Sequence, residues 1–572
     1  MKKSVAIGLC VAAVVAAGLY FLLGDRAAVN PYARFLPPDV VGTVNLTHAG
    51  ALADGFAASP LGQVLAKDTV HAIVREMGGE PQDIAEYDRV YDSVAAVAND
   101  PAFRAVFGDD ATLALLPPDR TVLAEKPQEA LRDALVVVAR TSAASALDML
   151  SRLIKNARIG RETVDGLDLV KITPDKGQVF YGHAEGRMVF LASAPAAIKA
   201  CLAAGKGEAA LDKASAFQAA AAFWKTFPEA TTYSRMYVNF PAVAELFKTA
   251  AVAELRETGE MLAGVGTMYS ISYGTAQGLE SRGQAGLTYD QLHPAMQDLL
   301  DAAAKGNQSL HLLTEHTLAY NWASSLQAER IMKAMGAADA EEYRKTDAEV
   351  RQNLGVSLEE LGRAFGPQYG GVLDDIVHTP LFPWPKLTFF VEVRDRTVAE
   401  TALNGLRRLV AGEGITAEEQ EQVAGQTVYS WPVLPGAAQP AAVLAENMLY
   451  LSTSKEAIKM MLETKAAPDV LAAPVAAQLG PELAGRMGDA NFSDFVVFPA
   501  RMARQTGETI DWLAAILATS KGISLERLNR ELVQLMRSTE LMAGTTRVSR
   551  ERMEWTLTIT RAKNQAAGAN GQ

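Results

Sequence analysis

Cysteine is nearly missing. The chain has two, Cys10 and Cys201, in 572 residues, too few for a disulfide framework. Whatever folds here must be held by its cores. Histidine is scarce as well. His48, His71, His183, His293, His311, His316 and His378 never fall three or four residues apart. The helical spacing of a zinc hydrolase is therefore absent, and no protein-held metal is expected. The G-x-S-x-G elbow of a serine hydrolase is missing, as are a phosphate-cradling G-x-x-x-x-G-K-[ST] loop and an EF-hand pattern. Gly264-Val265-Gly266 lacks the third glycine of a dinucleotide fingerprint. Net charge is −12, and no basic stripe is interleaved with aromatics, so nucleic acid is not an expected partner. No catalytic residue, metal ligand or cofactor is assigned from the sequence.

What is present is a globular composition, 49% hydrophobic and 21% charged, with one long apolar run. That run extends from Ser4 to Leu23, behind Lys2 and Lys3. A helix needs about 20 such residues to cross a bilayer. The lysines place its start in the cytoplasm. The run ends in Leu19-Tyr20-Phe21-Leu22-Leu23, where a cleaved signal peptide wants small residues. Leu9 before Cys10 is likewise too large for a lipidation site. The expectation is an anchor over 1–27 and a single-pass protein of the bacterial inner membrane. Its N-terminus would be cytoplasmic and its body periplasmic or otherwise extracytoplasmic.

The body is written twice, at a shift of about 255–260 residues. MVFLASAPAAIKACL (188–202) matches MLYLSTSKEAIKMML (448–462), with Met188, Leu191, Ala197, Ile198, Lys199 and Leu202 recurring as Met448, Leu451, Ala457, Ile458, Lys459 and Leu462. Phe107-Gly108 matches Phe365-Gly366. The stretch 136–154 matches 391–410, 164–172 matches 423–431, and YVNFPA (237–242) matches FVVFPA (495–500). The period is too long for a solenoid repeat and long enough for a self-contained domain. The expected organisation is copy one over 28–289, a helical linker over 290–307, copy two over 308–563 and a disordered tail over 564–572.

Each copy reads as mixed elements. Strands are expected at 134–139, 167–172, 178–183 and 188–192, and helices at 142–156 and 195–203. Hairpin turns fall at Glu185-Gly186 and Glu446-Asn447, where Gly or Asn accepts a left-handed backbone. Ser193 and Thr453 are candidate N-caps. Thr453 with Glu456, Ser357 with Glu360 and Thr416 with Glu419 have capping-box spacing. Hairpins followed by helices imply an antiparallel sheet with packed helices. The expected fold class is therefore α+β: an N-terminal transmembrane helix, then two tandem pseudo-repeated modules, each a mainly antiparallel sheet with helices.

Three features invite a functional reading. Asp109-Asp110, Asp374-Asp375 and Glu418-Glu419 are adjacent carboxylates, but sequence neighbours point apart, so turns and a helix start are expected. Phe389 and Phe390, in the aromatic segment 380–393, are expected to fill a core. The stripe Leu525, Leu528, Leu532, Leu535 and Met536 is expected to face a core. Its polar face carries both signs, unlike a membrane-surface helix.

With Leu36-Pro37-Pro38-Asp39 opening the body after the apolar run, and Ala197-Ile198-Lys199 on a helix after a strand, the chain resembles a family of bacterial membrane-anchored envelope proteins known only as a domain of unknown function. The resemblance implies an envelope location and a duplicated module, and supplies no catalytic residues. The leading functional expectation is a non-enzymatic binding or scaffolding module with an envelope protein partner, attached to the membrane through its single N-terminal helix. A carrier or chaperone for lipid or another amphiphile is the second. A hydrolase with a dispersed site, near His183 or His316, is the third.

Overall fold

The computed structural model describes residues 32–47, 56–98, 110–141, 158–173, 178–207, 209–228, 231–248, 253–303, 306–379, 383–412, 417–434, 438–464, 467–506 and 524–562. The first ten strands in chain order are β1 (Gly42–Thr47), β2 (Asp110–Leu115), β3 (Leu135–Arg140), β4 (Arg158–Val164), β5 (Leu167–Thr173), β6 (Phe180–Glu185), β7 (Met188–Ala192), β8 (Thr232–Asn239), β9 (Val265–Thr275) and β10 (Gly278–Leu287). The next ten are β11 (Ala319–Ser324), β12 (Phe365–His378), β13 (Pro383–Val393), β14 (Glu419–Val423), β15 (Gln426–Ser430), β16 (Ala441–Ala445), β17 (Met448–Ser452), β18 (Ser493–Val497), β19 (Thr539–Val548) and β20 (Arg552–Arg561).

The fold is α+β, but among the described residues the strands join one antiparallel sheet of twenty. Two tandem modules with separate sheets were expected, and that expectation is corrected. The compact units are not tandem either. One comprises Met1–Pro294, Ile516–Leu535 and Arg550–Thr560; the other comprises Ala295–Ala515, Met536–Ser549 and Arg561–Gln572. The physical reason lies in β10. A strand at a sheet edge leaves a row of backbone groups unpaired, and β20, from the end of the chain, fills that row in the first unit.

In the first unit the strands lie side by side as β4-β5-β6-β7-β3-β2-β1-β8-β9-β10-β20. In the second they lie as β14-β15-β16-β17-β13-β12-β11-β18-β19. The second order is that of the first nine strands in the first unit with every number raised by ten.

Among the described residues no helix is long and apolar enough to cross a membrane. Pro81–Ala98 reaches 18 residues but carries Asp83, Glu86, Asp88, Arg89 and Asp92. The expected anchor, 1–27, lies outside the described residues. The expected single-pass placement in a bacterial inner membrane, with an extracytoplasmic body, is corrected accordingly: the structure lends it no support.

Helices cover one face of the sheet in each unit. In the first, Ile198, Cys201 and Leu202 of the helix Pro195–Lys206, with Phe217 and Trp224 of Ser215–Trp224, pack on Val136, Val138, Phe190 and Tyr237. In the second, Ile458, Val475, Leu483 and Met487 pack on Val372, Phe390, Tyr450 and Val496. Ile198 and Ile458 are both fully buried, and each such side chain contributes about 1.5–3 kcal/mol.

Local details depart from expectation in instructive ways. The hydroxyl of Ser193 donates to the Arg132 carbonyl at 2.9 Å, and the N-cap position is Ala194. Thr453 Oγ1 accepts the Leu387 N–H at 2.9 Å, tying down a neighbouring strand, while Ser454 caps the helix Lys455–Glu463. The Ser357–Glu360 capping box forms. Thr416 lies outside the described residues, and Glu419 opens a strand instead of a helix. The expected helix at 142–156 also lies outside the described residues. At the paired hairpins Gly186 takes φ 62°, and Glu446, not Asn447, takes the left-handed backbone at φ 52°.

Candidate functional site

Strand alternation gives each sheet a second face. In the second unit, the residues whose neighbours on β12 and β13 point to the core themselves point away from it. Cross-strand partners define a row: Leu451 on β17, Phe389 on β13, Gly371 on β12, Asn321 on β11, Phe495 on β18 and Gly544 on β19. Directly opposed residues share a face, so this row is continuous across six strands. Phe389 is 54% exposed, and Leu451 and Phe495 are each 36% exposed. Tyr369, two residues along β12, is 38% exposed.

The adjacent row on the same face is Leu387, Leu373, Ala319, Val497 and Met542, apolar throughout and half-buried. Glycines form part of the floor. A Cβ on Gly371 would sit 3.5 Å from Phe389 Cδ1, and one on Gly544 would collide with the Phe495 ring. Both rings therefore rest over bare backbone. The Asn321 amide interrupts the row, exposed between the two phenylalanines.

The helix Arg396–Gly412 bounds this face on one side. Its Ala399 and Leu403 form a small second core with Leu444 and Leu449. The Arg407 guanidinium stacks 3.8 Å from the Tyr429 ring centroid and grips Glu418 through two bonds, of 2.7 and 2.9 Å. Hydrogen bonding to Arg407 holds the Glu418 carboxyl below its usual range. The first unit presents a smaller version of the face: Leu191, Val137, Leu113, Val44 and Met236 are paired in one row, with Leu113 45% and Val44 37% exposed.

The opposite, helix-covered face carries buried polar clusters. In the first unit Asn45 Nδ2 donates to Asp110 Oδ1 at 2.8 Å and to Thr112 Oγ1 at 3.1 Å, and Tyr32 donates to the Asp110 carbonyl at 2.8 Å. Burial pushes the Asp110 carboxyl up to about 6, against the pull of the Asn45 bond. In the second unit Asn307, Ser309, Tyr320 and Asp494 are all essentially buried. Burial pushes the Asp494 carboxyl up to about 8. Its Oδ1 has no hydrogen-bond partner among the described residues.

The carboxylate pairs do not make a dyad. Asp109 lies outside the described residues and Asp110 sits in β2, not in a turn. Asp374 is raised by burial and accepts from Thr317 at 2.9 Å, whereas Asp375 meets Lys386 at 3.0 Å. Of the histidines weighed for hydrolysis, His183 Nδ1 lies 3.1 Å from the Asp168 carbonyl and His316 is exposed beside Glu315. The aromatic pair splits: Phe390 is buried at 3% and Phe389 is not. In the terminal leucine stripe Leu532 remains 43% exposed, while Asn529 and Glu531 of the same helix are buried. The exposed sheet face was missed from sequence, although Leu387, Phe389 and Val391 alternate with Thr388, Phe390 and Glu392 and so mark an apolar set on the non-core side.

Comparison with family models, with curated proteins and with solved structures finds no match for this chain.

Proposed function

We propose that this chain is a non-enzymatic binding or scaffolding protein, and that the open sheet face around Phe389 and Phe495 receives an apolar surface of a partner protein. The observation that carries this reading is the exposure of Phe389, in mid-strand beside an equally apolar second row. Contiguous apolar patches on a folded surface mark interaction sites. Aromatic side chains are enriched at the centres of such sites, with polar groups around them. Asn321 supplies a hydrogen-bonding group within the patch.

The test is a photo-crosslinking phenylalanine analogue placed at 389 and, separately, at 495, with Lys333 as a control site. Capture of one and the same protein from both face positions, lost on Phe389→Asp, supports the reading. Capture that is equal at position 333, or absent at 389 and 495, refutes it.

The same face keeps an amphiphile carrier as the second reading, because acyl chains also settle on apolar strands. A hollow near the helix Pro127–Asp133 is lined by Lys126, Glu129 and Arg132, which suits a lipid tail poorly. Native mass spectrometry separates the two readings: a retained small mass favours the carrier, and a retained protein favours the scaffold.

A further inference from the structure

β4 forms one outer side of the first unit's sheet. Among the described residues its only ladder is with β5, so the backbone groups on its other side meet no strand. β14 takes the same place in the second unit, beside β15. The two edges are finished differently. Around β14 the charges are answered within the chain. Lys455 meets Glu421 at 2.9 Å and Glu419 at 3.3 Å, Lys459 meets Glu421 at 2.9 Å, and Arg407 holds Glu418 just before the strand. On β4 the charge of Glu162 is answered, by Lys171 at 2.8 Å. Lys199, the counterpart of Lys459, reaches Asp165 in the turn at 2.8 Å and not the strand itself. Arg158 and Arg161 are exposed, and among the described residues their guanidinium groups have no ion pair, hydrogen bond or ring contact. Between them lie Ile159, 50% exposed, and Gly160, where an added Cβ would meet nothing within 4 Å. The first half of β4 is thus open on both faces as well as along its edge.

We propose that the outer edge of β4 receives an extended, acidic segment of a partner protein, which adds to the sheet as a further antiparallel strand. Strand addition draws affinity from main-chain hydrogen bonds and specificity from alternate side chains. The neighbouring ladders are antiparallel, so the incoming segment runs against β4. Directly opposed residues share a face. The segment therefore carries, in order, a carboxylate opposite Arg161, an aromatic ring opposite Gly160, an aliphatic side chain opposite Ile159 and a carboxylate opposite Arg158. Guanidinium forks match carboxylates in geometry and charge, and an aromatic ring on the next strand covers an edge glycine. Charge on an edge strand ordinarily guards it against pairing. A guard of one sign is selective: two arginines repel a basic strand and admit an acidic one. The edge lies in the first unit, and its occupancy does not depend on the open face around Phe389 in the second.

The test uses the full chain and a fluorescein-labelled, capped peptide, Thr-Asp-Tyr-Val-Asp-Thr. Binding is read by fluorescence anisotropy at low salt, where exposed charges are least screened. Saturable binding is expected, weakened about tenfold in the double variant Arg158→Glu, Arg161→Glu, the scale of two exposed ion pairs. The double variant should in turn bind the peptide with lysine in place of both aspartates, which also shows that it folds. Successive N–H groups of a strand point to opposite sides, so N-methylation of one alternate set of peptide residues should abolish binding and N-methylation of the other set should spare it. Absence of saturable binding overturns the proposal. So does binding that is unchanged in the double variant, or that responds equally to methylation of the two sets, because such an attraction is not strand addition at this edge.

Discussion

Asn307 Nδ2 donates to Asp494 Oδ2 at 2.8 Å across 187 residues of sequence. The same amide donates to the Tyr320 hydroxyl at 2.7 Å, and Ser309 donates to Asn307 Oδ1 at 2.8 Å. One amide thus gathers three other buried polar side chains. The first unit builds its cluster differently: there Asn45 sits on β1 and meets Asp110 from β2, with Arg235 of β8 beside it. The Asn45 bond, and after it the positive charge of Arg235, pulls the Asp110 carboxyl down, whereas at Asp494 the Asn307 bond alone opposes burial.

That difference predicts a pH dependence. Asp494 holds its proton in the folded chain up to about pH 8, against an ordinary value of 3.8. Between those limits the folded state binds a proton that the unfolded state has released, so stability falls as pH rises. The contribution is full below about 3.8 and gone above about 8. Asp110 acts in the same direction but only up to about 6, so the interval from 6 to 8 reports on Asp494. A drop of up to about 3 kcal/mol is expected there, at 1.36 kcal/mol per pH unit. Asp494→Asn should flatten it. Urea midpoints measured at pH 6, 7 and 8 check this, and equal slopes in both proteins would refute it.

Glu446 occupies a left-handed backbone that its counterpart Gly186 occupies freely. Glu446→Gly should therefore stabilise the chain by about 0.5–1 kcal/mol, because relief of the strained backbone outweighs the added freedom of the unfolded state. A thermal melt decides the sign. Gly186→Ala should act the other way.

Phe389 and Phe390 are neighbours with opposite roles. Phe390→Ala should cost about 3–5 kcal/mol, as a fully buried aromatic does. Phe389→Ser should stay within about 0.5 kcal/mol of the parent, as surface changes do, and yet abolish partner capture. Denaturant unfolding alongside the crosslinking assay distinguishes them. Equal stability losses would place Phe389 in a core.

Gly370 has no room for a side chain. A Cβ there would strike the Asn321 carbonyl and the Phe390 ring. Since backbone cannot yield as a flexible side chain does, Gly370→Ala should cost about 1–3 kcal/mol. At Gly485 a Cβ would meet nothing within 4 Å, so Gly485→Ala should be neutral or stabilising. Paired melts test the contrast.

How far the sequence could be read depended on whether a signal was local. The strand Met188–Ala192 and the Ser357–Glu360 cap were legible because alternation and capping spacing act within a few residues. Thr453 and Ser454 both carry a hydroxyl, and only the strand beside Thr453 decides which of them caps the helix. Matching Val136 to Val391 looked natural, but Val136 is fully buried and Val391 lies three residues from its structural equivalent. Val137 and Phe389 are the residues that face Leu191 and Leu451. A slip by an odd number exchanges the two faces of a strand, and two apolar faces hide the error. The open face around Phe389 was lost for the same reason. The pairing of β20 with β10 leaves no trace in periodicity, since both strands alternate in the same way wherever they are placed.

The distance along the chain between β10 and β20 sets an order of events in biosynthesis. β10 leaves the ribosome roughly 265 residues before β20 begins. At about 5–20 residues per second, that interval lasts some tens of seconds. The first unit thus waits with an open edge until β20 emerges, and any chaperone or neighbouring nascent chain that reads unpaired strands meets it during that wait.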